Sequence, residues 1–364
     1  GDDNETVLPG LGATAAAGAV GTRAAELGIA PEALLTQRAD EEDEDTSTDP
    51  PTAAPVAVDD SFGQVSFRDS DAIGDSLSLS VEGMDRPPDG LTYVAWLVNT
   101  DTDEKLNIGE LLLDSLGSGT MSFTDPEGRL LPAHFNAFTV TAEQRDDIDA
   151  ADPLGDVFYS GSIPVEMMNA LFEIFIASDN GLDGGSLLDG ATVEAGHAES
   201  HAGLAARASN ISGVHTHAEH TVNILLGEDV DYNGNGRGEN PGRGVGLFTF
   251  LDQMDETLEA GVTAGDQTLA TNAESLRTCL LSVRIRAERL EELERELLAA
   301  TEFENVADIN TEATTLAEQL TIGFDANENG TVDFFETECG LEQAPTYGSL
   351  VGRMSIVEGS LDAS

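Results

Sequence analysis

Lysine, tryptophan and cysteine are nearly missing from this chain of 364 residues. Lys105 is the only lysine, Trp96 is the only tryptophan, and the cysteines are Cys279 and Cys339. No apolar run approaches the length of about 18 residues that indicates a membrane-spanning helix. The shortage of basic residues disfavours direct contacts to nucleic acid, because phosphates need a basic patch. We therefore expect neither a membrane span nor a nucleic-acid partner.

Most of the charged residues in the chain are acidic. The chain has 69 Asp and Glu against 16 Lys and Arg, a formal charge of −53, and the acids are spread over its whole length. Such a chain repels itself in dilute salt, whereas at molar salt the Debye length falls to about 3 Å and the repulsion is screened. This predicts a halophilic protein; a calcium-loaded surface protein from ordinary seawater is the alternative.

The first residues, GDDNETVLPG, have neither the basic nor the apolar segment of a signal peptide. We expect a mature chain whose leader was removed, located outside the cell or at its surface. Export favours a disulfide between Cys279 and Cys339, worth about 4 kcal/mol for a loop of this length. Two reduced core thiols are the alternative. Export also predicts N-glycans at the sequons of Asn4 and Asn210.

Residues 1–57 predict a non-globular arm or linker. An Ala-rich stretch is followed by ADEEDEDTSTDPPTAAP, whose acidic, hydroxyl and proline residues cannot bury apolar surface. We expect self-association through this arm, in a filament or a surface layer.

Residues 58–165 predict an immunoglobulin-like β-sandwich. Seven segments show strand-like alternation, with turn residues between them. They are residues 61–67, 76–82, 91–99, 104–114, 119–124, 136–144 and 156–164. Trp96 lies on the third segment, and we expect it to anchor the core.

Three motifs of this segment resemble a known family. They are Tyr93-x-x-Trp96-Leu97-Val98, Ile108-Gly109-Glu110-Leu111 and Phe138-Thr139-Val140-Thr141-Ala142-Glu143. Their order is similar to that in the extracellular domain of anti-sigma-K-factor-type proteins. The resemblance implies a β-sandwich without catalytic residues. It does not extend to the membrane helix or the sigma-binding part of that family, so it does not imply regulation of transcription.

Residues 166–364 predict a mostly α-helical bundle with calcium-binding loops. One apolar stripe recurs at steps of three and four residues, as in a coiled coil. Its members are Leu276, Leu280, Val283, Ala287, Leu290, Leu293 and Leu297. The rest of this helix predicts a solvated, salt-bridged face. That face carries Arg277, Arg284, Arg289, Arg295, Glu288, Glu291, Glu292 and Glu294.

Five of the six histidines lie in one 24-residue window. They are His197, His201, His215, His217 and His220. The first two are one helical turn apart, the last two are at i and i+3, and a break is expected at residues 209–213. A helical hairpin would therefore bring His197, His201, His217 and His220 together.

Such a cluster predicts a site for copper or zinc, or a non-covalent haem held by two axial histidines. Covalent c-type haem is excluded, because the chain has no Cys-x-x-Cys-His motif. Glu199 and Glu219 are candidates to orient the imidazoles or to bind the metal directly. Surface histidines without a ligand are the alternative.

The second half of this window also resembles a module found in uncharacterised secreted proteins. In that module an HAEH-x-x-N-I helix precedes a loop rich in Asp, Asn and Gly. Here it is His217-Ala218-Glu219-His220-Thr221-Val222-Asn223-Ile224, followed by residues 229–246. The resemblance implies a shared module and no particular activity.

Two loops match the EF-hand pattern for calcium. Residues 325–336, DANENGTVDFFE, match it throughout, with Asp325, Asn327, Asn329, Thr331, Asp333 and Glu336 as ligands. Two asparagines in place of carboxylates predict weak affinity. Residues 229–240 match the first half through Asp229, Asp231 and Asn233, but lack the terminal glutamate. Asx-rich turns without an ion are the alternative.

The sequence thus predicts a secreted or cell-surface protein of a halophile that self-assembles and carries a histidine-rich metal or haem site. Extracellular electron transfer or metal storage is the second hypothesis, and a metal-dependent oxidoreductase is the third. We expect a non-enzymatic role, because no nucleophile elbow, phosphate-binding loop, dinucleotide fingerprint or zinc-peptidase motif occurs.

Overall fold

The computed structural model describes residues 61–334 and 337–361. The predicted arm, the sequon of Asn4 and the last calcium ligand, Glu336, lie outside the described residues.

Eight strands form one antiparallel sheet. They are β1 (Gly63–Arg68), β2 (Ser76–Val81), β3 (Leu91–Val98), β4 (Lys105–Leu111), β5 (Gly119–Thr124), β6 (Ala137–Gln144), β7 (Val157–Ser162) and β8 (Met354–Glu358). Their order is β4-β3-β6-β7-β8-β1-β2-β5. The sheet curls until β4 and β5, consecutive in the chain, come close, so that it is nearly a barrel.

The single sheet differs from the seven-stranded sandwich that the sequence predicts. Strands β1–β7 overlap the seven predicted segments, with β1 extending one residue further, but β8 comes from the segment predicted to be helical. It pairs with β7 on one side and with β1 on the other, and this joins what would otherwise be two sheets. Met354 and Ile356 of β8 are buried in the main core, and this burial holds the strand there.

Alternation along the strands sets which face of the sheet is buried. In β2 the sequence SLSLSV buries Leu77, Leu79 and Val81, and Leu77 lies opposite Phe67 of β1. Trp96 is fully buried, as expected, but lies in a smaller cluster with Val94, Val98 and Ala137 rather than in the main core. Its indole N–H donates to the Thr141 hydroxyl at 2.9 Å.

Eight α-helices lie in the described part of the chain. They are α1 (Leu131–His134), α2 (Val165–Phe175), α3 (Leu187–Ala206), α4 (Ile211–Leu226), α5 (Leu247–Thr263), α6 (Gln267–Ala299), α7 (Ala307–Ile322) and α8 (Ala344–Val351). No helix in these residues has the length and apolar character that a membrane span requires. Sheet and helices share one hydrophobic core.

The apolar stripe on α6 is buried along its whole length, so the predicted periodicity is confirmed. Cys279 on the same helix is bonded to Cys339, and both cysteines are fully buried. The disulfide ties the middle of α6 to the segment that leads into α8.

The predicted solvated face of α6 needs one correction. Arg289 pairs with Glu292 at 3.1 Å and Arg295 with Glu291 at 2.8 Å, as expected. Glu294, in contrast, is 0% exposed, and neither carboxyl oxygen has a hydrogen-bond partner among the described residues. Burial raises the pKa of Glu294 well above its usual value. Helix α6 packs against other elements on more than one side. Glu294, which the sequence pattern assigns to the charged surface, is therefore buried in the protein interior.

Candidate metal centre

Helices α3 and α4 form the hairpin that carries the five histidines. Helix α3 begins with a capping box between Ser186 and Asp189. The break before α4 is at Asn210, whose side chain accepts the Gly213 N–H at 3.0 Å. The buried face of α3 includes the small residues Ala198 and Ala202. The break that the sequence predicts at residues 209–213 is confirmed.

Three of the five histidines meet between the helices. The Nδ1 atom of His201 lies 3.2 Å from Nδ1 of His217 and 3.2 Å from Nδ1 of His220. One nitrogen from each ring can be chosen so that all three lie within 4.8 Å of one another. Nitrogen ligands about 2.05 Å from a tetrahedral zinc ion are about 3.3 Å apart, and the two spacings from His201 Nδ1 match this separation.

Burial favours the neutral imidazoles that bind metals. Burial, followed by the neighbouring rings of His220, His217 and His197, lowers the pKa of His201 to about 4. Burial, followed by the effects of His220 and Arg207, also lowers the pKa of His217. At neutral pH His201 and His217 are therefore neutral, and no proton has to be removed from an imidazolium at these two residues before a metal binds.

The other two histidines of the window lie apart from the triad. His197 Nδ1 is 3.8 Å from a carboxyl oxygen of Glu194 and has no hydrogen-bond partner in the described part of the chain. The Nε2 atom of His215 lies 2.8 Å from the Ala300 carbonyl oxygen, to which it donates when protonated. Of the four histidines expected to converge, the structure thus brings together three, His201, His217 and His220.

The glutamates of the His-Ala-Glu repeats do not face the triad. Glu199 is exposed. Glu219 is 1% exposed, and its Oε2 accepts the Asn233 N–H at 2.8 Å. The carboxylate beside the triad is that of Glu239, whose Oε2 is 3.4 Å from His220 Nε2. A proton on Nε2 leaves Nδ1 of His220 free to bind, as in carboxylate–histidine–metal arrangements.

Buried polar side chains hold the loop that carries Glu239. The Asn223 amide donates to the carbonyls of Val230 at 2.9 Å and Glu239 at 3.1 Å, and its oxygen accepts the Val230 N–H. Further along, the buried carboxylate of Glu194 accepts N–H groups of the loop, including that of Arg243. The loop is therefore fastened to both histidine-bearing helices.

The two Asp- and Asn-rich loops have the same internal hydrogen bonds. Asp325 accepts the N–H groups of the residues four and five positions later, at 3.1 and 2.8 Å. Asp231 does the same, at 3.1 and 2.7 Å. The residue equivalent to Asp325 is therefore Asp231. The sequence pattern began this loop at Asp229, so the structure shifts its start by two residues.

Aligned in this way, the loops place their asparagines alike. Asn327 and Asn329 of one loop correspond to Asn233 and Asn235 of the other, and Thr331 corresponds to Arg237.

A buried glutamate from outside the repeated turn lies against each loop. Glu338 is fully buried and accepts the N–H groups of Asn327 and Asp333, both at 3.2 Å. Glu219 accepts the N–H of Asn233, the residue equivalent to Asn327. No signal in the spacing reveals either glutamate, because one follows its loop and the other lies on the preceding helix.

Comparison of the chain with known proteins gives no relatives. No family model, no curated protein and no solved structure matches it. The two resemblances drawn from sequence motifs stay predictions, and the conclusions about function rest on the geometry of the site.

Proposed function

We propose that this protein binds one transition-metal ion, zinc or copper, through His201, His217 and His220. The observation that carries the proposal is the 3.2 Å spacing of His201 Nδ1 from both partner nitrogens. Three nitrogen donors leave a fourth coordination position for water or a small molecule, as in zinc and copper sites with an open position.

A small ion is better supported than haem. The centroids of the three rings are 4.8, 5.4 and 5.6 Å apart. Two axial histidines must leave a flat slot between them for the porphyrin, and the third imidazole would occupy that slot. Electron transfer, metal storage and oxidoreductase activity all remain compatible with an open fourth position, and the fold alone favours none of them.

The first test is a calorimetric titration of the metal-free full chain with zinc and with copper in molar salt. We expect one ion per chain with a Kd below about 1 μM, which corresponds to a binding free energy of roughly 8 kcal/mol. Magnesium, which prefers oxygen ligands, serves as the matched control and should not compete. Failure of both metals to bind would overturn the proposal.

The setting that we propose for this centre is the cell exterior at high salt. The charge of −53 supports the high-salt part. The bond between Cys279 and Cys339 supports export, because disulfides persist mainly in oxidising compartments. Self-association through residues 1–57 and glycans at Asn4 and Asn210 stay predictions.

We also propose that calcium binds the two Asp- and Asn-rich loops and fastens the segments around them. The turn that the two loops share supports this proposal, because Asp325 and Asp231 accept hydrogen bonds from backbone N–H groups in the same way. A buried glutamate beside each turn adds a second carboxylate, and oxygen ligands of this kind suit calcium.

Calcium should raise the melting temperature of the full chain, and the variant Asp325→Ala should lose part of that rise. An ion present at 100 times its Kd stabilises the folded state by about 2.7 kcal/mol. Differential scanning calorimetry with calcium, and with magnesium at equal ionic strength, measures the effect. Equal responses to the two ions would argue for general screening rather than calcium sites.

A further inference from the structure

Four asparagines of the chain are followed directly by glycine. They are Asn180, Asn233, Asn235 and Asn329. In such a pair the backbone nitrogen of the glycine can attack the side-chain carbonyl carbon of the asparagine, because glycine has no side chain to shield it. The attack leads to deamidation without the help of an enzyme. The hydrogen bond of the glycine N–H distinguishes the four pairs in the structure.

Carboxylates hold two of these glycine N–H groups. The Gly236 N–H donates to Asp231 at 2.7 Å, and the Gly330 N–H donates to Asp325 at 2.8 Å. Closure of a succinimide ring requires the glycine nitrogen to lose its proton and to turn toward the asparagine side chain. A hydrogen bond to a carboxylate opposes both, because it fixes the peptide plane and places a negative charge where an amide anion would develop.

The other two glycine N–H groups are held less strongly or not at all. The Gly181 N–H donates to the uncharged carbonyl of Ser178 at 3.0 Å, which is a weaker restraint. The Gly234 N–H makes no hydrogen bond with any residue that the structure describes. The Gly234 nitrogen is therefore the least restrained of the four.

The side chain of Asn233 also suits the reaction. Its carbonyl oxygen accepts the Asn235 N–H at 3.0 Å, which polarises the carbonyl carbon. Its amide nitrogen is enclosed and has no hydrogen-bond partner in the described part of the chain. The ammonia that leaves therefore gives up no hydrogen bond to the protein.

We propose that Asn233 is a site of spontaneous deamidation in the folded protein, and that Asp231 and Asp325 protect Asn235 and Asn329 from the same reaction. This inference goes beyond the proposed function and does not depend on metal binding.

The reaction has two steps. In the first, the Gly234 nitrogen forms a bond to Cγ of Asn233, the bond from Cγ to Nδ2 breaks, and ammonia leaves with the proton of the Gly234 amide. In the second, water opens the succinimide and leaves an aspartate or an isoaspartate at position 233. Either product places a new carboxylate near Glu219, which accepts the backbone N–H of this position at 2.8 Å.

The test is a time course of the folded full chain in molar salt at mildly alkaline pH. Peptide mass spectrometry, with chromatographic separation of the aspartate and isoaspartate forms, measures deamidation at each of the four positions. We expect Asn233 to react at least about tenfold faster than Asn235 and Asn329, which is the rate factor that a hydrogen bond to a charged group corresponds to. Asn180 should have an intermediate rate.

The unfolded chain in denaturant is the control for local sequence. Its four rates should be similar, because the fold no longer holds any glycine N–H. Two matched variants test the protection. Asp231→Ala should accelerate deamidation of Asn235 and leave that of Asn329 unchanged, and Asp325→Ala should do the reverse.

Three results would overturn the proposal. The first is deamidation of Asn233 in the folded chain that is no faster than that of Asn235 and Asn329. The second is a set of rate differences that persists in denaturant, since local sequence would then set the rates. The third is unchanged rates in the Asp231→Ala and Asp325→Ala chains, which would overturn protection by these carboxylates.

Discussion

The variant His201→Ala is expected to lower the affinity for zinc or copper by at least about 100-fold, because removing even the partner that orients a ligand costs 10–100-fold. His201 is the histidine whose Nδ1 lies 3.2 Å from both other Nδ1 atoms. Without it, His217 and His220 offer two ligands from one helix and lose the nitrogen that α3 supplies. Calorimetric titration of the metal-free variant in molar salt measures the loss.

His197→Ala is the matched control, since His197 lies one turn earlier on α3 and outside the triad. Its affinity should equal that of the unaltered chain. Melting curves recorded without metal test whether His201→Ala still folds. We expect little loss of stability, because the imidazole is only half-buried and its polar contacts are with the two other rings of the triad. Equal affinities of the two variants would contradict the assignment of the metal centre.

Loss of the disulfide is expected to lower the free energy of unfolding by about 4 kcal/mol, from the entropy of closing a loop of this length. Cys279 and Cys339 are 60 positions apart, and the loop between them contains most of α6 and all of α7. Domains are usually stable by about 5–15 kcal/mol, so this is a large share. Denaturant unfolding of the double variant Cys279→Ala, Cys339→Ala in molar salt measures it.

Reductant provides the control for the disulfide. It should destabilise the unaltered chain and leave the double variant unchanged. Because both sulfurs are buried, reduction should be slow unless denaturant opens the fold. A difference in unfolding free energy below about 1 kcal/mol would show that the unfolded chain is not appreciably restricted by the bond.

Local patterns predicted the elements well and the long-range pairings poorly. The alternation in β2 and the stripe on α6 follow from side-chain periodicity, which is a local property. Strand β8 is five residues long and pairs with β1, almost 300 positions earlier in the chain. Nothing local distinguishes such a strand from a loop, because its stability comes from burial of Met354 and Ile356 between distant neighbours.

The candidate site also has features that the local sequence predicts and features that depend on long-range packing. The spacing of His217 and His220 places both on one face of a helix, and the sequence shows this. It does not show whether His197 or His201 meets them, because both lie on the same face of α3 and the choice depends on how the hairpin packs. Glu239 carries no signal at all, since it is brought to His220 by the buried amide of Asn223.

The position of β8 in the chain affects when the sheet can be completed during synthesis. Strands β1–β7 are complete once residue 162 has left the ribosome, yet β7 and β1 then have open edges with unpaired N–H and C=O groups. Both edges pair only with β8, Met354–Glu358, which follows all eight described helices in the chain. The nascent sheet therefore stays in two parts until the eight described helices have been synthesised, and β8 then joins them.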